Sequence, residues 1–235
     1  MRKCYFTISS ILFFALGLSC TKEETKIQNQ QASRPTAPEQ NGKVRIGSQD
    51  WMTKNLNVSH YRNGDPIPQV TNTTQWANLT TGAWCYFQNN TSNGPVYGKL
   101  YNWYAVNDPR GLAPAGWHIP SDAEWITFAI YVDGVNGGAS AGGKMKARGT
   151  IEEGTGLWLS PNVDATNSTG FTGIPGSGRA YNGNFNSAGD GAFWWSSTQS
   201  STGASWIRYV TNDNGSMYRW YLSWKSGNSV RCIKD

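Results

Sequence analysis

Phe193-Trp-Trp-Ser-Ser-Thr198, Trp206-Ile-Arg-Tyr-Val210, Ser216-Met-Tyr-Arg-Trp-Tyr-Leu222 and Ser229-Val-Arg-Cys-Ile233 follow one another at the C-terminal end of the chain. Each run is short and rich in aromatic or β-branched residues, which suit a half-buried pleated surface. Asn212-Asp-Asn-Gly215 separates two of them with a hairpin composition, and Lys225-Ser-Gly-Asn228 marks another turn. The pattern predicts short antiparallel strands. Side chains alternate across a strand, so Met217, Arg219 and Tyr221 would face away from Tyr218, Trp220 and Leu222. One face must then keep aromatic rings in solvent or against a ligand.

Upstream, the signals are local. Val44 to Met52 has alternating apolar positions around Gly47 and reads as a hairpin. Trp84-Cys-Tyr-Phe87 reads as an aromatic strand ending at Asn89-Asn90. Tyr97, Leu100, Tyr101 and Tyr104 recur at helical spacing before Asp108-Pro109, which predicts a helix over 97–106. The clearest helix begins at Ser121-Asp-Ala-Glu124, a capping box in which Ser and Glu each satisfy a free backbone N–H. Trp125, Phe128, Ala129 and Val132 line its inner face, and Gly134 closes it. Between 134 and 192 the chain is mostly turns, punctuated by Trp158, Phe171 and Tyr181.

The first residues look like an address. Met1-Arg-Lys is positive, and Tyr5 to Leu18 is an apolar run of signal-peptide length. Leu16-Gly-Leu-Ser-Cys20 resembles a bacterial lipobox, which implies an acylated Cys20 anchored in the lipid bilayer. Thr21-Lys-Glu-Glu24 resembles the export signal of surface lipoproteins in Bacteroidetes. The expected division is a signal peptide over 1–19, a polar flexible tether over 20–43 and one domain over 44–235, lipid-anchored at the surface of the outer membrane.

Composition narrows the functions. The chain has 12 Trp and 27 Gly among 235 residues but only 15% charged residues, so large rings and loops dominate. The net charge is +5, and Arg2 and Lys3 fall in the segment expected to be removed. No basic run longer than a pair occurs in the domain, which argues against a nucleic-acid partner. His60 and His118 are the sole histidines, too few for a three-His metal site. His118, beside a capping box, reads as a hydrogen-bonded structural residue. Single carboxylates such as Glu152, Glu153 and Asp164 read as solvated loop residues rather than a hydrolytic pair. Asn186, Asp190 and Asp213 offer oxygens for Ca²⁺, without the spacing of a known calcium loop. No catalytic residue, metal or cofactor is expected.

Five motifs in order carry a family resemblance. They are Gln49-Asp-Trp-Met-Thr-Lys-Asn-Leu56, Tyr97-Gly-Lys-Leu-Tyr-Asn-Trp-Tyr-Ala-Val106, Gly116-Trp-His-Ile-Pro-Ser-Asp-Ala-Glu-Trp125, Phe193-Trp-Trp-Ser-Ser-Thr198 and Ser229-Val-Arg-Cys-Ile-Lys-Asp235. Together they resemble the Fibrobacter succinogenes major paralogous domain, found in surface proteins and lipoproteins. His118-Ile-Pro-Ser-Asp-Ala-Glu-Trp125 is also similar to a helix start in formylglycine-generating-enzyme-like domains. That likeness implies an α+β, C-type-lectin-like fold: two helices packed on twisted antiparallel strands, termini close together, long loops above. It does not bring the enzyme's chemistry, because the reactive Cys pair near the C-terminus is missing.

With Cys4 removed and Cys20 acylated, Cys85 and Cys232 remain, and an exported domain is expected to pair them. Such a long closed loop would contribute about 4–5 kcal/mol. The expected function is non-catalytic binding of a glycan or surface protein through the C-terminal loops and strand faces. The candidate contacts are Trp206, Arg208, Tyr209, Asn212, Asn214, Tyr218, Arg219 and Tyr221, since mixed aromatic and small polar residues suit adaptable binding surfaces. A structural role in envelope assembly is the rival. The variable ligand-binding proteins of diversity-generating retroelements, which place variable residues in a similar C-terminal segment, offer a further reading.

Overall fold

The computed structural model describes residues 42–134, 138–186 and 188–235. The signal peptide, the lipobox with Cys20 and nearly all of the tether therefore lie outside the described residues. Contacts group Gln40–Asp235 as one unit.

The N-terminal hairpin forms as expected. β1 (Lys43–Ile46) and β2 (Gln49–Met52) pair antiparallel around Gly47. Gly47 has φ +61°, and a Cβ there would strike the Tyr131 ring at 2.9 Å, so the turn requires glycine twice over. β2 then pairs with the terminal strand β9 (Ile233–Lys234), which pairs with β5 (Trp117–His118). This four-stranded sheet ties the start of the domain to its end. Backbone bonds from Met52 N to Cys232 O and from Leu56 N to Val230 O extend the tie.

The C-terminal runs form a three-stranded meander of β6 (Gly191–Ser201), β7 (Ala204–Thr211) and β8 (Tyr218–Ser223). Alternation sends its two faces into different cores. Ala192, Trp194 and Val210 pack with Trp51, Trp125, Phe128, Trp158 and Phe171. Trp195 and Ile207 pack on the opposite side with Tyr101, Trp103, Val230 and Cys232. A third cluster gathers Val70, Trp76, Cys85, Phe87 and Leu100. Six tryptophans are fully buried. Each such ring removes about 150–250 Å² from water, a gross gain of roughly 4–6 kcal/mol before entropy.

Helices are few and short. The capping box holds: Ser121 Oγ accepts from Glu124 N at 3.2 Å, and Glu124 Oε2 accepts from Ser121 N at 2.7 Å. The helix it opens spans Asp122–Asp133 and buries Trp125, Phe128 and Ala129. The helix expected over 97–106 does not form as one piece. A turn of helix, Gly94–Tyr97, stops at Gly98, whose φ is +75°. Leu100–Tyr101 is β4 and pairs with β3 (Trp84–Cys85). Asn102 then caps a new turn, Trp103–Val106, by accepting from Ala105 N and also from Ala83 N. Strand pairing and a side-chain cap outcompete the helical spacing. Among the described residues the chain is mixed α/β, mostly sheet, with one helix of several turns where two were expected.

The expected disulfide is a second correction. Cys85 and Cys232 are free, buried thiols that belong to different core clusters. Burial pushes both thiols up to about 12, so they are packing groups rather than nucleophiles.

What holds the loops instead is a set of buried cations. Arg231 is fully buried and donates to the carbonyls of Met52 and Phe171 and to Asn55 Oδ1. Burial pulls it down to about 9. Asn55 Oδ1 also accepts from Trp194 Nε1, while its Nδ2 donates to Tyr97 O and Ser229 Oγ. Arg179 donates to the carbonyls of Val70, Thr71 and Gly183 and lies over the Trp76 ring. Lys146 donates to the carbonyls of Val163, Thr211 and Asn214. Apart from Met52 and Thr211, which end strands, these carbonyls lie outside the ladders, and the cations supply donors that no ladder gives them.

At the closing sheet, His118 Nδ1 lies 2.8 Å from Asp235 Oδ1 and Nε2 lies 2.8 Å from Glu124 Oε1. Burial opposes the imidazolium, but the bonds to Glu124 and Asp235 outweigh it, so its pKa is raised. A raised pKa contributes stability that is complete below the unfolded-state value and is lost as pH rises through the folded value. Thermal melts should therefore show stability falling as pH climbs from below about 6.5, the ordinary imidazole value. His118→Gln should flatten that slope; an unchanged slope in the variant would contradict the assignment.

Candidate functional site

β8 is the outer strand of the meander, so among the described residues one of its edges has no partner strand. Four consecutive residues, Tyr218 to Tyr221, are exposed. Tyr218, Trp220 and Tyr221 are 37%, 55% and 48% exposed, on both faces of the strand. Cross-strand register builds one line of rings, and neighbours within β8 build a second contact. Phe193, Tyr209 and Tyr218 are register partners and stack in sequence, with centroids 5.6 Å and 4.8 Å apart at 20°. Trp220 and Tyr221 stack at 5.3 Å and 10°.

Asp122 ties the two outer strands of the meander, through buried Arg208 on β7 and half-exposed Arg219 on β8. Asp122, the first residue of the capped helix, accepts from Arg208 Nη1 at 2.7 Å and from Arg219 Nη2 at 2.9 Å. Burial alone would raise the Asp122 pKa, but the hydrogen bonds from Arg219 and Arg208 lower it. The Arg219 guanidinium also lies 3.3 Å over the Trp206 ring, and Tyr221 meets that ring edge-on. The helix N-terminus is thus clamped to both β7 and β8.

The sequence-derived contacts separate into groups. Tyr218 and Tyr221 are exposed. Tyr209 is sandwiched between two rings, and Trp206 is covered by Arg219. Arg208 is buried in the ion pair and serves as structure, not as a contact. Arg219 is half engaged by Asp122 and half exposed. Asn212 donates to Ser160 O, and Asn214 braces the turn through Thr211 Oγ1 and Ser216 N. Sequence reasoning missed Trp220, the most exposed ring of the strand, because alternation suggested that one face would be covered. An edge strand that outruns its core leaves both faces open.

A groove of about 500 Å³ lies beside Phe193 and is lined by Asn186, Asp190, Asn212 and Asp213. The three oxygen-bearing residues considered for Ca²⁺ do share it. However, Asp213 Oδ1 already accepts from Thr211 Oγ1 and Asn214 Nδ2. Among the described residues, no three His, Cys, Asp or Glu side chains are grouped to hold a metal. Nor is any described helix long and apolar enough to cross a membrane.

The family described as Fibrobacter succinogenes major domain matches residues 44–234, and the chain belongs to it. No curated protein and no solved structure matches the chain.

The clamp makes a differential prediction. Asp122→Ala leaves Arg208 buried without a counter-charge and should cost about 3–5 kcal/mol. Arg219→Ala removes a half-exposed partner and should cost no more than about 1 kcal/mol. Denaturant melts of the two variants measure the difference; equal losses would contradict the buried role of Asp122.

Proposed function

We propose that this chain is a non-catalytic binding domain of a lipid-anchored protein on the outer-membrane surface, built on a C-type-lectin-like fold. The lipobox resemblance at Leu16–Cys20 supports the anchor. The fold reading draws support from a long-looped α/β unit whose first and last strands share one sheet. The observation that carries the function is the run Tyr218–Tyr221: three large rings, exposed side by side on a strand edge with no described partner strand, which Arg219 ties to Asp122.

Rigid aromatic rings supply contact area at little entropic cost. An open edge also offers backbone donors and acceptors that an extended chain can pair with. A surface protein segment therefore fits this edge better than a glycan. Added as a fourth strand, it would satisfy the backbone and cover rings on both faces. An envelope-assembly partner would use the same contacts.

Membrane fractionation with labelled palmitate should find the wild-type protein lipidated and Cys20→Ala unlabelled. Crosslinking from position 220 on whole cells should capture an envelope protein. Trp220→Ala and Tyr221→Ala should each weaken that association by about 2 kcal/mol or more, as central aromatic anchors do. Capture that is unaffected by both substitutions would refute the edge as the docking surface, and retention on a glycan array through the same residues would reassign it to sugar.

A further inference from the structure

A second surface lies at the far end of the same sheet. There, a cleft of about 460 Å³ opens between the loop around Thr80–Gly82, the turn Trp103–Arg110, Gln199 of β6 and Trp224 just beyond β8. That volume falls within the range of about 300–1,000 Å³ typical of small-molecule sites.

Its floor and walls are aromatic and fixed. The Trp224 ring stacks on Trp103 with centroids 4.9 Å apart and 17° from parallel. Tyr104 stands at 77° to Trp224, so the two rings make a corner. Trp103 Nε1 donates to Ser196 O and Trp224 Nε1 to Ser205 Oγ, which leaves neither indole free to swing. The approach at Gly82 needs glycine, because a Cβ there would collide with the buried Tyr61 hydroxyl.

The polar groups around this corner are uncommitted. The side chains of Thr80, Thr81, Asn107 and Gln199 line the cleft, are exposed, and make no hydrogen bond to a described residue. Gln199 sits at a register irregularity of β6, of the kind that re-aims a side chain out of a ladder. At the rim, Arg110 is held by Asp108 at 2.8 Å and by Asp65 at 3.2 Å. Of these only Asp108 and Arg110 line the cleft, and they pair with each other, so the lining carries no net charge.

We propose that this cleft binds a neutral pyranose ring, free or as a residue of a glycan. A pyranose has an apolar C–H face that packs on an aromatic ring and equatorial hydroxyls that need amide and hydroxyl partners at its edge. Trp224 and Tyr104 supply the first, and Asn107, Gln199 and the two threonines supply the second. With Arg110 paired to Asp108, the lining offers no free cation to a uronic or sialic acid, which favours an uncharged sugar. The site uses none of the exposed rings of β8 and stands or falls independently of the docking edge.

The test is isothermal titration of the full chain with maltose, cellobiose, xylobiose, mannobiose, N,N′-diacetylchitobiose and a glucuronate-containing disaccharide. At least one neutral disaccharide should bind at millimolar concentration, and the glucuronate should not. Asn107→Ala and Gln199→Ala, which remove no internal bond, should each weaken binding about tenfold, the loss of roughly one hydrogen bond to ligand. Trp220→Ala should leave it unchanged. No neutral disaccharide bound, or binding untouched by the cleft variants, or binding lost equally in Trp220→Ala, would overturn the proposal.

Discussion

Arg231 is fully buried with no carboxylate among the described residues beside it; its charge rests on the Met52 and Phe171 carbonyls, on Asn55 and on the face of Phe171. The rest of the fold depends on this kind of contact. Many of the described residues outside the strands have no ladder, so their buried carbonyls need donors from elsewhere. Arg179 and Lys146 supply them for the loops at Val70–Thr71, Gly183, Val163 and Asn214. Guanidinium and ammonium groups suit this role because each brings several donors and no acceptor. The arrangement also explains why two cysteines can remain unpaired: the tie they would have made is distributed over polar contacts.

With the loops pinned, the three-stranded sheet can lie between two aromatic cores while its margin stays free. Trp194 and Trp195 are adjacent and face opposite clusters. Among the described residues no third layer covers the outermost strand; its ladder to β7 holds it, with the Arg219–Asp122 pair as a lesser tie. Both proposed surfaces are consequences of that design. One is the strand edge; the other is the corner that Trp224 makes as the chain leaves the same strand.

Local features of the sequence were legible. The capping box at Ser121–Glu124 and the hairpin at Gly47 depend on residues a few positions apart, and both stand in the structure. The helix expected over 97–106 failed because its competitor is distant: Leu100–Tyr101 pairs with Trp84–Cys85, and Asn102 reaches Ala83. Arg208 read as a ligand contact for the same reason, since its partner Asp122 lies far upstream in the chain and nothing in the local sequence announces it. Tyr218 and Tyr221 were legible as exposed rings. Trp220 was not, because alternation describes a strand covered on one side and not the last strand of a sheet. The corner of Tyr104 and Trp224 joins segments that share no sequence signal at all.

The claim that buried cations bound to loop carbonyls organise the domain is open to direct observation by nitrogen-15 NMR of arginine side chains. Arg179 and Arg231 should give separate guanidinium signals with slow hydrogen exchange and hindered rotation, unlike exposed Arg45. Averaged, rapidly exchanging signals for Arg179 and Arg231, indistinguishable from Arg45, would contradict the account.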